Sequence, residues 1–220
     1  FKLIGHNSQT TEELQQFSSL LRSIRYEIDN ELNAEKEDTE QGKVLAITSL
    51  NTGEGKSLVT MGLASAYAMA NKRVLVVDGN FDHPLLTQNA SEKAYLEDFL
   101  QDEEAFIQSS GNNLISVLGN HGGDQSLLER CSEKTIRRKI TQLKNNFDII
   151  IIETQSLSLM NKAKEWIQFA DKVIAVFETN QSITPQKQLY LNYLRTLNAK
   201  FSGLVLNKVL AGKELEVKPA

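Results

Sequence analysis

A glycine-rich loop that joins an apolar run to a helical stretch constrains the fold of this 220-residue chain more than any other feature. Residues 48–57 read TSLNTGEGKS and follow an apolar run at 44–48. Gly53 and Gly55 let the backbone curl, so that consecutive N–H groups point at phosphate oxygens. The helix that follows adds partial positive charge. This order is what a phosphate-binding loop requires, although position 50, where the generic pattern has glycine, is Leu50.

The side chains around this loop carry the chemistry expected of a nucleotide site. Lys56 is expected to reach the β- and γ-phosphates, and the Ser57 hydroxyl is expected to bind Mg²⁺. A glycine turn that binds no ligand is the alternative interpretation. The loop residues predicted to contact nucleotide are Thr52, Gly53, Glu54, Gly55, Lys56, Ser57 and Leu58.

Two acidic residues end apolar runs and are candidates for the same site. Asp78 ends RVLVVD, and Glu153 follows four isoleucines in FDIIIIET. Open α/β sheets place their sites at the carboxyl ends of strands, so both acids are predicted to lie there. Asp78 could hold Mg²⁺ or orient an attacking oxygen, and the alternative is an Asp that caps the next turn. Glu153 resembles the metal-supporting acid of a Walker B strand, lengthened by one methylene.

The rest of the chain alternates short apolar runs with helical stretches. Runs that are apolar at every position indicate strands buried on both faces. The alternation predicts an α/β, doubly wound, mostly parallel sheet of the P-loop NTPase type, with helices on both faces. The predicted strands lie at 44–48, 73–77, 114–118, 149–152, 173–177 and 204–206, and the predicted helices at 56–70, 91–106, 127–144, 163–170 and 185–197.

An N-terminal amphipathic helix precedes this pattern. Its apolar residues recur at steps of three and four, and Thr10 with Glu13 forms a capping-box start. The apolar face could pack on its own domain or on a neighbouring subunit, and the spacing favours neither. A charged linker at 33–42 then suggests a boundary between residues 1–42 and 43–220. The face consists of Leu14, Phe17, Leu21, Ile24 and Ile28.

Composition narrows the class of protein. The net charge is −4, which gives no support to nucleic-acid binding. Cys131 is the single cysteine, so no internal disulfide forms and a reducing compartment is expected. No apolar run exceeds five residues, which is far short of a membrane span. Because the chain begins with Phe1, we expect it to be a piece of a longer protein.

Several motifs resemble the bacterial tyrosine kinase (BY-kinase) domain of capsular and exopolysaccharide co-polymerases, a branch of the deviant P-loop ATPases. VLAITSLNTGEGKS is similar to the strand and Walker A motif of that family, RVLVVDGNFDHP to its Walker A′, and FDIIIIETQS to its Walker B. The closing GLVLN resembles a strand whose last residue, here Asn207, contacts adenine in relatives. The resemblance covers nearly the whole chain.

The resemblance implies ATP or ADP with Mg²⁺ as cofactors. It makes Lys56 and Asp78 the catalytic candidates, and Ser57, Asp78 and Glu153 the metal-binding candidates. It further implies that the chain is a cytoplasmic domain of a plasma-membrane protein. The domain is expected to form a homo-oligomer through the N-terminal helix face. It is also expected to work with a membrane co-polymerase segment of the same chain or of a partner chain. No nucleic-acid partner is expected.

The departures from the family pattern concern its charged residues. The second Walker A′ acid is Asn80, and the two arginines that follow it in the family are Asp82 and His83. An amide cannot act as a base or neutralise Mg²⁺ charge. A later family acid is Asn161, and the tail at 211–220 contains no tyrosine.

These departures leave three functions open. The first is an ATP-binding BY-kinase-like domain that regulates polysaccharide polymerisation and export, with tyrosine kinase activity weak or lost. The second is a pseudokinase assembly module with little nucleotide binding. The third is a partition-type switch ATPase, which Asn51 disfavours because relatives of that type have a signature lysine there.

Overall fold

The computed structural model describes residues 8–34, 41–90, 94–102, 105, 107 and 113–209, with side chains from residue 13 onward. Its centre is a seven-stranded sheet in which every neighbouring pair of strands is parallel. The strand order is β3-β4-β2-β5-β1-β6-β7. The strands are β1 (Lys43–Ser49), β2 (Val74–Asp78), β3 (Ala94–Tyr95), β4 (Ile115–Gly119), β5 (Ile149–Glu153), β6 (Lys172–Glu178) and β7 (Phe201–Asn207).

Helices cover both faces of this sheet. One layer contains the first three helices, and the other contains the remaining five. The helices are α1 (Ser8–Ala34), α2 (Lys56–Met69), α3 (Leu85–Asn89), α4 (Leu96–Gln101), α5 (Leu127–Arg130), α6 (Glu133–Asn146), α7 (Met160–Ile167) and α8 (Pro185–Thr196). The predicted α/β fold of the P-loop NTPase type is therefore confirmed.

The central strands are apolar on both sides because both sides are buried. In β1, Val44 and Ala46 face the layer of α6 and α7, whereas Leu45 and Ile47 face the layer of α1 and α2. All four side chains are fully buried. Alternate residues of a strand point to opposite faces, so a run with no polar position serves two cores at once.

The apolar face of α1 packs against α2 of the same chain. Leu21 and Ile28 are buried there, and Phe17 and Ile24 pack on the same cluster. The contact is close at Gly62, where an added β-carbon would lie 2.5 Å from the Leu21 Cδ1 atom. Of the two alternatives, the structure therefore shows packing on its own domain, which corrects the expectation that this face forms an oligomer contact.

Other local expectations about helices were wrong. The helix α1 already includes Ser8, so Thr10 lies inside it and is not its N-cap. The predicted helix 127–144 is two helices, because Cys131 is extended and the Ser132 side chain accepts a hydrogen bond from the Thr135 N–H at the start of α6. The described part of the predicted helix 91–106 contains only β3 and α4.

Within the described part of the chain, no helix is both long enough and apolar enough to cross a membrane. Cys131 is a free, half-buried cysteine that packs against the core. The boundary predicted at residue 42 stays a prediction.

Candidate functional site

The loop between β1 and α2 lies at the carboxyl edge of the sheet. Gly53 has φ of 83° and Gly55 has φ of 99°, both in the left-handed region that favours glycine. Gly55 is the N-cap of α2, and no side chain caps the helix there. The N–H groups of the first turn are therefore left for a ligand, in the way that helix N-termini bind anions.

Leu50 departs from the generic glycine pattern for a physical reason. Its side chain is fully buried in the core cluster on the α6 and α7 side of the sheet. The loop is therefore anchored to the core at the position where the generic pattern has glycine.

The side chain of Lys56 points into the loop region and not into solvent. It is buried, and its Nζ donates a 3.1 Å hydrogen bond to the Ser49 Oγ. Burial lowers the pKa of Lys56, and the negative charges of Glu153 and Glu54 oppose this shift. A polyphosphate bound in the loop would supply the negative charge that this ammonium group lacks.

Glu54 faces inward and stabilises the loop itself. Its Oε2 accepts a 2.9 Å hydrogen bond from the Asn51 N–H, and its Oε1 is buried without a partner in the described part of the chain. The neighbouring Thr52 is exposed, with its hydroxyl 3.3 Å from that of Ser156. Leu58 is exposed in the first turn of α2.

Ser57 and Glu153 are joined across 96 residues of sequence. The Ser57 hydroxyl donates a 2.8 Å hydrogen bond to Glu153 Oε1. Glu153 is buried, and its Oε2 has no hydrogen-bond partner among the residues described. Burial raises the pKa of Glu153 to about 7, against the opposing effect of the Ser57 hydrogen bond.

These two residues fit a magnesium ion. Carboxylate and hydroxyl oxygens are the ligands that Mg²⁺ prefers, and it commonly takes only one or two protein ligands beside substrate phosphates and water. A cation next to Glu153 would compensate a carboxylate oxygen that is now buried and unpaired. Over the described ranges, no group of three or more His, Cys, Asp or Glu side chains is placed to hold a metal.

Asp78 is directed at a turn and not at the phosphate loop. Its Oδ2 accepts hydrogen bonds from the Thr87 N–H at 2.9 Å and from the Thr87 hydroxyl at 2.8 Å, and its Oδ1 accepts one from the Asn80 N–H at 3.3 Å. Burial raises its pKa, and these hydrogen bonds oppose the shift. The capping alternative is therefore what the geometry shows, and roles as a base or metal ligand stay predictions.

Asn207 reaches the phosphate loop from the last position of β7. Its side-chain Nδ2 donates a 2.9 Å hydrogen bond to the backbone oxygen of Glu54. A β-carbon added to Gly55 would overlap this amide nitrogen. The structure thus places Asn207 against the backbone of the phosphate loop, and its contact with adenine stays a prediction.

Sequence reasoning missed an ion pair beside the Walker A′ segment. Lys162 of α7 lies 2.8 Å from Asp82 and 3.0 Å from Asp124, measured from its Nζ to a carboxylate oxygen. Asp82 stands where the resemblance expects arginine, and Lys162 compensates its charge. No local pattern could have paired residues 80 positions apart. His83 is exposed.

These features define a P-loop nucleotide-binding domain. A glycine-rich phosphate loop lies at the carboxyl edge of an all-parallel sheet, and a lysine and a serine begin the next helix. The chain belongs to the CbiA family, the CobQ/CobB/MinD/ParA nucleotide binding domain, whose model it matches over residues 45–218. Its homologues are bacterial tyrosine kinases, so the BY-kinase resemblance is confirmed.

Three comparisons illustrate this. The chain is 30% identical over 183 residues to the tyrosine-protein kinase CpsD of Streptococcus pneumoniae serotype 4, covering 76% of each chain. It is 25% identical over 177 residues to the succinoglycan biosynthesis transport protein ExoP of Rhizobium meliloti, covering 76% of this chain and 22% of ExoP. The crystal structure of the chimerical protein CapA2B2 superposes with a TM-score of 0.69 at 22% identity, covering 86% of this chain and 83% of that one.

Proposed function

We propose that this chain is a cytoplasmic, ATP-binding domain of the BY-kinase type that regulates capsular or exopolysaccharide polymerisation and export, with protein-tyrosine kinase activity weak or lost. The observation that carries the proposal is the phosphate loop, with its two left-handed glycines, its uncapped helix N-terminus and the Ser57–Glu153 hydrogen bond beside it. The polysaccharide role rests on the relatives, of which ExoP is a succinoglycan biosynthesis transport protein.

Nucleotide binding requires only what the loop supplies. The N–H groups at the start of α2 and the Lys56 ammonium group would hold the phosphates, while Ser57 and Glu153 would hold Mg²⁺. The bound ion would neutralise phosphate charge and orient the phosphate groups for transfer. Lys56 and Glu153 are both desolvated before any ligand arrives, so a ligand that brings opposite charge to each is favoured.

The kinase step needs a carboxylate that is free to act as a base or to bind Mg²⁺. The candidate carboxylate of this chain is already engaged in hydrogen bonds. Asp78 has both carboxylate oxygens engaged by Thr87 and Asn80. Asn80 is neutral, and its Oδ1 accepts a hydrogen bond from the His83 N–H at 3.3 Å. Loss of one charged group can remove transition-state stabilisation without abolishing binding. By analogy with the removal of a single hydrogen-bond donor from an active site, the loss is roughly 3–4 kcal/mol. Binding is therefore expected to outlast phosphoryl transfer.

Isothermal titration of the purified chain with Mg·ATP and Mg·ADP tests the binding. We expect heat of binding with both nucleotides and an affinity at least tenfold lower in Lys56→Met. The matched control is Lys134→Met on the exposed surface of α6, which should bind as the wild type does. Absence of heat with either nucleotide, under conditions where a CpsD chain binds, would contradict the proposal and favour the pseudokinase assembly module.

Phosphotyrosine detection after incubation with Mg·ATP tests the proposal that tyrosine kinase activity is weak or lost. The wild type should give a trace signal or none. The double variant Asn80→Asp with Glu153→Asp should raise it if these departures caused the loss, and Lys56→Met added to that variant should remove it again. A strong wild-type signal that Lys56→Met abolishes would show that the activity is retained.

A homo-oligomer and a membrane co-polymerase segment remain part of the proposal. Because the apolar face of α1 packs on α2 of the same chain, an oligomer would use other surfaces, and Leu20 and Tyr26 are large, exposed hydrophobic residues of α1. Sedimentation of the chain, with and without Mg·ATP, measures assembly. A monomer at every concentration and nucleotide state would contradict self-association of this chain.

A further inference from the structure

The end of β7 is fastened to its neighbours before it meets the phosphate loop. The Asn207 backbone oxygen accepts a 3.0 Å hydrogen bond from the Thr179 N–H, and the Thr179 hydroxyl donates a 2.8 Å bond to the Lys208 oxygen. Lys208 also pairs with Glu178 at 2.8 Å. The Asn207 side chain therefore extends from a backbone position that two strands hold in place.

The hydrogen bond from this side chain orients one peptide unit of the loop. The carbonyl of Glu54 points at Asn207 Nδ2 across 2.9 Å. A trans peptide is planar, with its C=O and N–H in opposite directions, so the N–H of Gly55 points away from Asn207. In the described part of the chain that N–H has no acceptor. It is thus a free donor at the N-cap of α2, where phosphate oxygens are expected.

Packing supports the same arrangement. Gly55 has φ of 99°, and the space that a β-carbon would fill is occupied by the Asn207 amide. The residue pair is therefore complementary in shape as well as in hydrogen bonding. The Asn207 side chain is directed at the loop backbone, and its one described hydrogen bond as a donor is to Glu54.

We propose that Asn207 is a positioning residue of the phosphate loop, which orients the Glu54–Gly55 peptide so that the Gly55 N–H meets the polyphosphate. It acts on binding through the loop, for every nucleotide alike. This inference rests on the proposed nucleotide binding and differs from the adenine contact that the family resemblance implies for the same residue.

Ligands with and without a base separate these roles. Binding of Mg·ATP, Mg·GTP and Mg·tripolyphosphate to the wild type, Asn207→Leu and Asn207→Ala is measured by isothermal titration. For a positioning residue, all three affinities fall by a common factor of about tenfold, the equivalent of one hydrogen bond, and the ATP-to-GTP ratio is unchanged. If Mg·ATP binding weakens while Mg·tripolyphosphate binding stays at the wild-type value, or if the ATP-to-GTP ratio changes, the inference is wrong.

The matched control is Leu206→Ala, which changes an exposed side chain of the same strand. It should bind all three ligands as the wild type does. Urea unfolding of every variant shows that the fold is intact.

Backbone amide exchange of the ligand-free chain gives a second readout, which does not depend on nucleotide binding. Asn207→Leu should speed exchange at residues 51–55 while leaving β1 and β5 unchanged, because the loop loses its anchor but the sheet does not. Unchanged exchange in the loop would overturn the inference. If the wild type binds no ligand but the loop exchanges faster in the variant, the proposed function fails, and only the anchoring of the loop backbone by Asn207 stands.

Discussion

The carboxylate of Asp78 is held by Thr87, nine residues further along the chain, through both the N–H and the hydroxyl of that threonine. Asp78 is also the direct partner of Glu153 in the register of β2 and β5. Two acids at neighbouring strand ends thus have different environments. Asp78 stabilises the turn into α3, and Glu153 faces the phosphate loop. From this difference we expect Asp78 to act mainly on stability and Glu153 mainly on ligand binding.

Replacing Asp78 should cost stability. Asp78→Ala leaves the Thr87 N–H, the Thr87 hydroxyl and the Asn80 N–H without their acceptor, so we expect the free energy of unfolding to fall by about 2–4 kcal/mol. Asp78→Asn should lower the free energy of unfolding by less. It keeps one acceptor oxygen, and it removes a buried carboxyl group whose pKa burial already raises. Urea denaturation measures both. Asp98→Asn, on the exposed surface of α4, is the control, and an Asp78→Ala variant as stable as that control would contradict the capping role.

The stability of the metal-free chain should fall as the pH rises from about 4.5 to 7. Burial raises the pKa of Glu153 from 4.5 to about 7, so in this window the folded state binds more protons than the unfolded state. A pKa difference of one unit between the folded and unfolded states is worth about 1.4 kcal/mol, which sets an upper limit of about 3.5 kcal/mol from this residue. Below that window the carboxyl is protonated in both states, and burial of the carboxylate costs nothing.

The variant Glu153→Gln tests whether Glu153 causes this pH dependence of stability. The variant should be more stable than the wild type at pH 8 and should lose this part of the pH dependence, as urea denaturation in EDTA would show. It should also bind Mg·ATP more weakly, because a carboxylate ligand is gone. Parallel pH profiles for the variant and the wild type would exclude Glu153 as the source.

Gly55 should tolerate alanine less well than Gly53. Both have left-handed φ angles, which cost a non-glycine residue roughly 1–2 kcal/mol. Only Gly55 has a neighbour in the way, since nothing lies within 4 Å of a β-carbon added to Gly53. We therefore expect Gly55→Ala to lower the melting temperature more than Gly53→Ala does.

A double-mutant cycle adds a sharper test of that contact. Combined with Asn207→Ala, the Gly55→Ala change should cost less than it does alone, because the overlapping amide is removed. Strict additivity of the two changes would show that the contact between Gly55 and Asn207 carries no coupling.

Leu21 should be important for stability, whereas Leu20 should not. Leu21 is buried against Gly62 of α2, and Leu20 is 63% exposed. Leu21→Ala should destabilise the chain by about 2–4 kcal/mol, and Leu20→Ala by no more than about 0.5 kcal/mol. Because the contact lies within one chain, the destabilisation caused by Leu21→Ala should be the same at every protein concentration. A destabilisation that changes with protein concentration would instead place this helix face between subunits.

Local sequence patterns were sufficient for the layers of this fold. The isoleucine run of β5 has no polar position, which only a strand buried on both faces explains, and such strands occur in parallel sheets covered by helices. Gly53 and Gly55 likewise predicted a curled loop, because left-handed backbone is available to glycine at little cost. These inferences succeeded because each depends on residues within a few positions of one another.

Helix ends were predicted less well. The periodicity of residues 127–144 continues across Cys131, yet the backbone is extended there and α6 restarts from the Ser132 cap. A cap and a continuing apolar pattern compete at such a point, and tertiary packing decides between them.

What the sequence by itself determined is the alternation of the main strands and helices and the glycine loop between β1 and α2, since both follow from short-range conformational preferences. Only the tertiary structure decided which acid faces that loop. Glu153 meets Ser57 across 96 residues, and Asn207 meets Glu54 across 153. Such pairs form because the strand order brings β5 beside β1 and the end of β7 to the loop. Pairings of this kind depend on the packing of the whole sheet, and no local pattern of residues contains them.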